Sequence, residues 1–441
     1  MQFWNIEHLQ QDIIIDLAAK TSFFLDLYFV ILIIITICMR LIFKKLELAY
    51  FEKIVYVIII GLIIYIFLLY KSLSLLSYAD ITLITFWNNH FVYSPIIFYL
   101  KIFICILAIC LFIAMLDYFY YEKYGSYEVL ILILLSLEGM FLMITTNDFF
   151  LMYISIELQS ISLYILASIK RYSNLSVEAG LKYFIYGSFA SGILLFGISL
   201  VYGSLGVTDF TNIYLLLYMF SQDGSILPLS LVYGLLLILA GLFFKLGITP
   251  FHFWMSDIFE GSPTIITYFF AVIPKISILF ILCRAFSFVL NPNFALVEYS
   301  YLFSYLFITC AVSSIFFGSI GAMYQTKIKR LLAFSAIANL GFILLGFSTI
   351  SIMGIFASLY YFFIYILASI QIFYILIIVR RQISYVKIKY LVEMIAVTHS
   401  NFTLSFILVF GLLSFAGVPP LAGFFGKCLI FFLWSERVNI F

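Results

Sequence analysis

The chain has 441 residues, of which 65% are hydrophobic and only 10% are charged, and its formal net charge is +2. This composition excludes a soluble globular protein. The stretches between its apolar segments leave no room for a soluble domain, so we do not expect this chain to bind nucleotides or nucleic acid.

Apolar runs of about 20 residues are long enough to cross the hydrocarbon core of a bilayer. The sequence contains about twelve such runs, and each predicts one transmembrane helix, numbered here as spans 1 to 12. They lie near residues 23–43, 54–76, 91–116, 127–146, 148–168, 179–204, 229–254, 263–289, 300–323, 328–349, 351–379 and 403–434. The predicted fold class is an all-α polytopic membrane protein.

The basic residues predict the orientation of these spans. Lys and Arg favour the cytoplasmic side of short loops. If twelve spans alternate, one side holds most of the chain's 23 Lys and Arg residues, among them Arg40, Lys170 and Arg330. The N-terminus is therefore expected to face outward, as is Phe441.

Three further sequence patterns, a row of small residues, a turn sequence and the cysteines, have structural rather than functional interpretations. Span 6 carries a row of small residues that predicts close helix packing; the row is Gly187, Ser188, Ser191, Gly192 and Gly197. Asp257 and Glu260 precede a Gly-Ser-Pro sequence and are assigned to a turn between spans 7 and 8. The 6 cysteines all lie in apolar segments without CxxC spacing, so we interpret them as buried small hydrophobic residues and predict no iron–sulfur site.

Spans 7 and 12 are both interrupted by glycine and proline beside a lysine. In span 7, Lys245 precedes Pro250, and in span 12, Pro420 precedes Lys427. A helix cannot run straight through proline, and the freed backbone groups are tolerated in a membrane only where protein or a water-filled cavity satisfies them. A matched pair of interrupted helices in two halves of a chain points to an ion or substrate path.

Several other charged residues also lie within the predicted spans. A charge near the bilayer centre costs roughly 2.5–3.5 kcal/mol on insertion scales, so it needs a partner or a function. We assign a function to the set Glu157, Lys245, Lys275 and Lys427.

The remaining intramembrane charges have simpler explanations. For Lys101 and Glu138 we favour a structural ion pair or a head group that reaches the membrane surface. For Lys182, in the first turn of span 6, a functional role and a surface-seeking head group both stay open.

A buried lysine beside a movable carboxylate can act as a proton switch. Burial lowers the affinity of a lysine for its proton, and a nearby carboxylate restores it. At about 4 Å and an effective dielectric near 20, the attraction is about 4 kcal/mol. Moving the carboxylate away therefore lets the lysine hand its proton onward.

The histidines give one candidate relay and no metal site. His252 follows Lys245 by seven residues, about two turns of an unbroken helix, and histidine as a residue type titrates near neutrality, which suits a relay; a hydrogen-bonded interfacial histidine is the alternative. His8, His90 and His399 show no ligand spacing, and no metal is predicted.

Six stretches of the chain resemble the antiporter-like subunit 2 family of proton-pumping NADH:quinone oxidoreductase, respiratory complex I. They run from Glu157 to Ser168, Ser176 to Ser188, Phe244 to Thr264, Phe269 to Lys275, Gln325 to Ser335 and Ser414 to Lys427. The resemblance covers roughly residues 127–434. It implies an antiporter-like fold with two inverted five-helix repeats: residues 127–289 hold the first, residues 298–441 hold an incomplete second, and residues 1–126 hold three accessory spans.

The resemblance also implies a role for each candidate residue. Glu157 and Lys245 would form the switch, Lys182 would tune it, His252 and Lys275 would relay protons along the midplane, and Lys427 would serve the far half-channel. Glu128 matches a further family glutamate by spacing, whereas Glu138 lies outside the pattern.

The implied activity is proton translocation within an H⁺-translocating NADH:ubiquinone reductase. No cofactor is expected on this chain, since FMN, iron–sulfur clusters and ubiquinone would be held by partner subunits. The expected partners are other membrane-arm subunits and lipid. Full-length relatives carry two helices after the second broken helix, so we also expect a separate chain to supply these. A subunit of a multisubunit cation/proton antiporter or a membrane-bound hydrogenase is the alternative, and a purely structural subunit is a third class.

The counts of Phe (52) and Tyr (33) are very high. Such an excess is typical of an AT-biased genome, such as a mitochondrial one. The expected location is therefore the mitochondrial inner membrane, with the N-terminus in the intermembrane space; a bacterial plasma membrane is the alternative.

Overall fold

The computed structural model describes residues 24–41, 48–78, 83–122, 127–222, 227–287, 297–382, 389–394 and 402–438. Nearly all of these residues are helical. The helices are α1 (Phe24–Leu41), α2 (Leu48–Tyr78), α3 (Pro95–Glu122), α4 (Tyr127–Thr145), α5 (Phe149–Ala167), α6 (Asn174–Leu205), α7 (Phe210–Gln222), α8 (Leu229–Leu246), α9 (Phe253–Gly261), α10 (Thr264–Ala285), α11 (Val297–Met323), α12 (Ile328–Ser348), α13 (Ile352–Gln382), α14 (Phe402–Ala416) and α15 (Ala422–Val438).

Eleven of the described helices are long and apolar enough to cross a membrane. This confirms the predicted polytopic helical fold. The expected span 12 consists of two shorter helices, α14 and α15, and the expected span 7 continues beyond α8 into the short helix α9. Both interruptions fall where the sequence places its Gly and Pro residues.

A β-hairpin and the short helix α7 are among the described elements that were not predicted. A hairpin of β1 (Ile84–Phe86) and β2 (Phe91–Tyr93) precedes α3, whose first residue is Pro95. Sequence periodicity joined β2 to span 3, because a short apolar run does not distinguish strand from helix. Proline favours the first position of a helix and fixes the boundary. The helix α7 was not predicted either, and it is too short to span a bilayer.

The cysteines were predicted to be buried, and this is wrong for most of them. Cys105 is buried, whereas Cys38, Cys110 and Cys428 are exposed and the other two are intermediate. A helix surface that faces lipid is as apolar as a protein core, so sequence hydrophobicity does not separate the two environments.

The chain forms two compact units. One comprises Met1–Leu163 with Thr208–Thr211, and the other comprises Tyr164–Val207 with Asn212–Phe441. In the first unit α2 packs along α3, and the aromatic rings of Phe29 and Phe141 meet at 5.0 Å. The boundaries of the predicted repeats stay a prediction.

Helix α6 packs closely against α8 in the second unit. A Cβ atom at Gly197 would lie 2.7 Å from the carbonyl oxygen of Gly234 and 2.9 Å from the backbone nitrogen of Ile238. The predicted small-residue row is divided between two faces, since Gly197 lies at this contact whereas Gly192 is exposed and has open space around it. The close approach brings α6 onto the helix that carries Lys245.

We expect Gly197→Ala to destabilise the second unit by about 1–3 kcal/mol, because the methyl group would overlap backbone atoms of α8. Gly203→Ala is the matched control in the same helix, since no atom lies within 4 Å of its added Cβ. That control should be neutral or stabilising by up to about 1 kcal/mol, because alanine favours helix. Thermal unfolding of the chain in lipid nanodiscs measures both, and equal midpoints for the two variants would contradict this packing.

Candidate functional site

Lys245 lies in the last turn of α8, directly before the first helix break. Gly247 ends the helix in the left-handed region at φ 79°, and its N–H donates to the carbonyls of Phe243 and Phe244. This is the usual glycine cap, since only glycine adopts that conformation without steric cost. A cation in the last turn also interacts favourably with the helix dipole. The break therefore fixes the position of the lysine.

The ammonium group of Lys245 is buried against an aromatic hydroxyl. Lys245 is only 8% exposed, and its Nζ atom donates a hydrogen bond to Tyr164 Oη at 3.0 Å. Nζ also lies 5.5 Å from the centroid of the Tyr164 ring. The phenol offers both a hydrogen-bond acceptor and an electron-rich face to the buried cation.

The second break repeats the backbone arrangement of the first. Helix α14 ends at Ala416, and Gly417 follows at φ 81° with its N–H donating to Leu413 at 3.0 Å. The peptide bonds Thr249–Pro250 and Pro419–Pro420 are both cis. The predicted pair of broken helices is confirmed.

Lys427 differs from Lys245 in its partners. Its Nζ atom donates to the carbonyl oxygens of Phe415 at 2.6 Å and Ala416 at 3.2 Å. These are carbonyls that the end of α14 leaves without helical partners, so the lysine satisfies them across the break. Lys427 is half-buried, and Nζ lies 4.7 Å from the ring centroid of Phe342.

Lys275 repeats the lysine–tyrosine contact in the middle of α10. It follows Pro274, is 4% exposed, and donates from Nζ to Tyr365 Oη at 3.1 Å. The Tyr365 ring in turn stacks on the ring of Phe415 at 5.6 Å. Phe415 therefore contacts Tyr365 through its side chain and Lys427 through its carbonyl, so Tyr365 and Phe415 together connect the two lysines.

Glu157 lies in α5, half-buried, with its Oε1 atom shielded from solvent. The same helix carries Tyr164 seven residues later, and residues at this spacing share one helix face. Glu157 and Lys245 belong to different compact units, so their pairing stays a prediction.

His252 occupies the N-cap position of α9 after the first break, makes no side-chain capping hydrogen bond there, and is half-buried. Its ring lies 5.9 Å from that of Phe317 in α11. Within the same break, Thr249 shares a hydrogen bond of 2.5 Å with Ser313, also in α11. The break is therefore anchored to α11 at two points, and the histidine ring packs at one of them.

Lys182 is held by two carboxylates. Its Nζ atom lies 2.8 Å from both Glu178 and Asp257. Asp257 also binds Arg330 at 3.1 Å, and Glu260 pairs with Arg330 and Lys327. The assignment of Asp257 and Glu260 to a turn is wrong, because the chain resumes a helix after the break and α9 runs to Gly261.

A cluster of His90, Asp148 and Asp209 lies in the first unit. His90 Nδ1 is 3.0 Å from Asp148 and 3.6 Å from Asp209, and each residue could offer one metal ligand. Asp148 also accepts hydrogen bonds from the Phe150 N–H at 2.7 Å and the Thr208 hydroxyl at 3.1 Å. We interpret Asp148 as the residue that caps the start of α5, with His90 and Asp209 packed beside it. The three residues lie far apart in the sequence, so their spacing did not predict the cluster.

The two tyrosine partners were also missed. With 33 tyrosines in the chain, composition does not single out Tyr164 or Tyr365. Tyr164 could have been found from its seven-residue spacing to Glu157. Tyr365 lies 90 residues from Lys275, and only the tertiary structure brings them together.

The chain is similar in sequence to known membrane proteins. The profile of the family described as NADH:quinone oxidoreductase/Mrp antiporter, TM, matches residues 146–441. The NADH-ubiquinone oxidoreductase chain 2 of Marchantia polymorpha is 38% identical over 349 residues, which cover 78% of this chain and 68% of that protein. The NADH-quinone oxidoreductase subunit N of Paramagnetospirillum magneticum is 39% identical over 318 residues, covering 72% and 63%.

Solved structures share the fold. A chain of respiratory complex I from Thermus thermophilus superposes with a TM-score of 0.70 at 24% identity, covering 93% of this chain and 83% of that one. A chain of the Mrp complex from Dietzia sp. superposes with a TM-score of 0.73 at 18% identity, covering 94% and 75%. The chain belongs to the antiporter-like membrane subunit family that includes NADH-ubiquinone oxidoreductase chain 2 and NADH-quinone oxidoreductase subunit N.

Proposed function

We propose that this chain is a proton-translocating membrane-arm subunit of an NADH:ubiquinone oxidoreductase. NADH oxidation and quinone reduction would take place on partner subunits that hold FMN, iron–sulfur clusters and ubiquinone. This chain would use the released free energy to move protons. The observation that carries the proposal is the repeated arrangement of a buried lysine on a tyrosine hydroxyl, at Lys245 and again at Lys275.

The switch is assigned to Glu157 and Lys245. The Tyr164 hydroxyl supports this assignment, since it accepts a hydrogen bond from Lys245 and lies on the face of α5 that carries Glu157. A carboxylate close to the lysine favours the protonated amine, and its withdrawal favours release. On release, an N–H bond of the ammonium breaks as Tyr164 Oη takes that proton and passes its own hydroxyl proton onward.

The onward route is assigned to Lys275, Tyr365 and Lys427. The stacking of Tyr365 on Phe415 and the hydrogen bond from Lys427 to the Phe415 carbonyl support it. Broken helices provide backbone carbonyls that can hold water inside a membrane. His252, at the other break, would relay protons between Lys245 and Lys275. Lys182, held by Asp257 and Glu178, would tune the switch electrostatically.

The alternative is a subunit of a multisubunit cation/proton antiporter or a membrane-bound hydrogenase. The Mrp complex and the membrane-bound sulfane sulfur reductase share this fold at TM-scores of 0.73, but at only 18% and 19% identity. The relatives at 38–39% identity are NADH-ubiquinone and NADH-quinone oxidoreductase subunits, which favours the first proposal.

Co-purification separates the two proposals. A tagged chain extracted in mild detergent should bring down flavin and iron–sulfur subunits that oxidise NADH. Recovery of cation-transport subunits without redox partners would support the alternative instead.

The same preparation tests the expected separate chain. Phe410 on α14 and Phe432 on α15 are exposed, and Lys427, which lies between them in the sequence, is only half-buried. We therefore assign a neighbouring polypeptide to the surface formed by α14 and α15. Covering the lysine would avoid the cost of a charge beside lipid. A photocrosslinker placed at Phe410 should capture a protein; capture of lipid alone would contradict the assignment.

Replacing Lys245 by Met should lower proton-coupled NADH:quinone turnover at least about tenfold, because a positioned proton donor commonly contributes 10²–10⁴-fold. Tyr164→Phe should give a smaller loss, since it keeps the lysine and removes only the hydroxyl that accepts its hydrogen bond. Turnover and proton yield are measured in vesicles that contain the assembled complex.

Lys71→Met is the control, because Lys71 is exposed near the end of α2. It should leave turnover unchanged. Wild-type turnover and proton yield in Lys245→Met, in a complex that assembles normally, would exclude the switch.

We further propose a location in the mitochondrial inner membrane with the N-terminus in the intermembrane space. Relatives from plants, the Phe and Tyr content, and the distribution of Lys and Arg support this location over a bacterial plasma membrane. A protease added to mitoplasts should cleave an N-terminal tag. Cleavage only in inside-out vesicles would reverse the orientation.

A further inference from the structure

Lys101 lies entirely inside the first compact unit, and the proposed proton path does not include it. It is 0% exposed in the second turn of α3, and its Nζ atom donates to Asp26 Oδ1 in α1 at 2.6 Å. Nζ also lies 5.1 Å from the ring centroid of Tyr93 and 5.8 Å from that of Phe141. The ion pair is thus enclosed by aromatic rings.

The second oxygen of Asp26 is also occupied. The Tyr93 hydroxyl, at the end of β2, donates to Asp26 Oδ2. Burial raises the pKa of the Tyr93 phenol, and the adjacent Asp26 carboxylate raises it further, so the phenol keeps its proton and remains a donor. Asp26 therefore has a hydrogen bond on each oxygen, and one of its two donors is a cation. This is the arrangement that stabilises an ionised carboxylate.

Glu138 is the residue that this pairing does not account for. It lies one turn before Phe141 in α4, is 6% exposed, and interacts electrostatically with both Asp26 and Lys101. Its Oε2 atom is shielded from solvent and accepts no hydrogen bond from the described residues. The buried Tyr65 hydroxyl in α2 interacts with both carboxyl groups as well. Cys105, in α3, is the remaining titratable group that interacts with Lys101.

The charges at this position do not balance when every group is ionised. Two carboxylates face one ammonium group, which leaves one negative charge without a partner among the described residues. An unpaired charge in a buried environment is costly, and the group neutralises instead. A proton on Glu138 makes the cluster neutral while the Asp26–Lys101 pair stays intact.

We propose that Asp26, Lys101 and Glu138 form a buried proton-binding site, separate from the six residues assigned above, in which Glu138 takes up and releases one proton. On release the O–H bond of the Glu138 carboxyl breaks, the proton passes to water as hydronium, and the site changes from neutral to a charge of −1. The site does not rest on the proposed function, because none of its residues belongs to the proposed path.

Infrared difference spectroscopy of the assembled complex tests the site directly. Raising the pH should remove one protonated-carboxyl band, and that band should shift in D₂O because its proton exchanges. Glu138→Gln should abolish this band. Glu52→Gln, a carboxyl in α2 of the same unit, is the control and should leave it in place. No electron transfer is needed for the measurement, so its result is independent of the pumping proposal.

Lys101→Met gives a second, independent readout. Without the ammonium group, the midpoint for loss of carboxyl protons should rise by at least about one pH unit, since Lys101 interacts electrostatically with Glu138 and a nearby positive charge favours the ionised carboxylate. Native gels confirm that each variant assembles. A band that persists at every pH and does not shift in D₂O, or a midpoint unchanged by Lys101→Met, would overturn the proposal.

Discussion

The structure depends on the cost of placing a cation where water is scarce. A lysine ammonium group loses its hydration inside a membrane, and several kilocalories per mole must be recovered from groups that the protein supplies. Each buried lysine meets this requirement differently. Lys245 and Lys275 use tyrosine hydroxyls, Lys427 uses backbone carbonyls, and Lys101 uses a carboxylate.

The type of partner decides how firmly a lysine keeps its proton. A carboxylate stabilises the charged amine strongly, whereas a phenol or a carbonyl offers only a dipole. Lys101 and Lys182 are held by carboxylates. Lys245 and Lys275 each donate a hydrogen bond to a neutral tyrosine hydroxyl. This difference separates the lysines that anchor the fold from those suited to transfer.

The helix breaks and the intramembrane lysines could be predicted from the sequence, because proline, glycine and charge carry a local signal in an otherwise apolar chain. Residues Lys245 and Lys427 were placed correctly beside their breaks for this reason. The partners of Lys275 and Lys101 could not be predicted. Tyr365 and Asp26 lie 90 and 75 positions from the lysines they contact, and aromatic residues are common throughout the chain. The helical state of α9 was missed because its boundaries are set by tertiary contacts after the break.

Phe415 has a consequence for how the second break can move. One residue carries both the ring that stacks on Tyr365 and the carbonyl that binds Lys427. Its ring and carbonyl are joined through a single Cα, so rotation at the end of α14 displaces both together. The hydroxyl of the same Tyr365 accepts the hydrogen bond from Lys275. A change in the Lys427 contact and a change in the Tyr365 contact therefore share one backbone position at the end of α14.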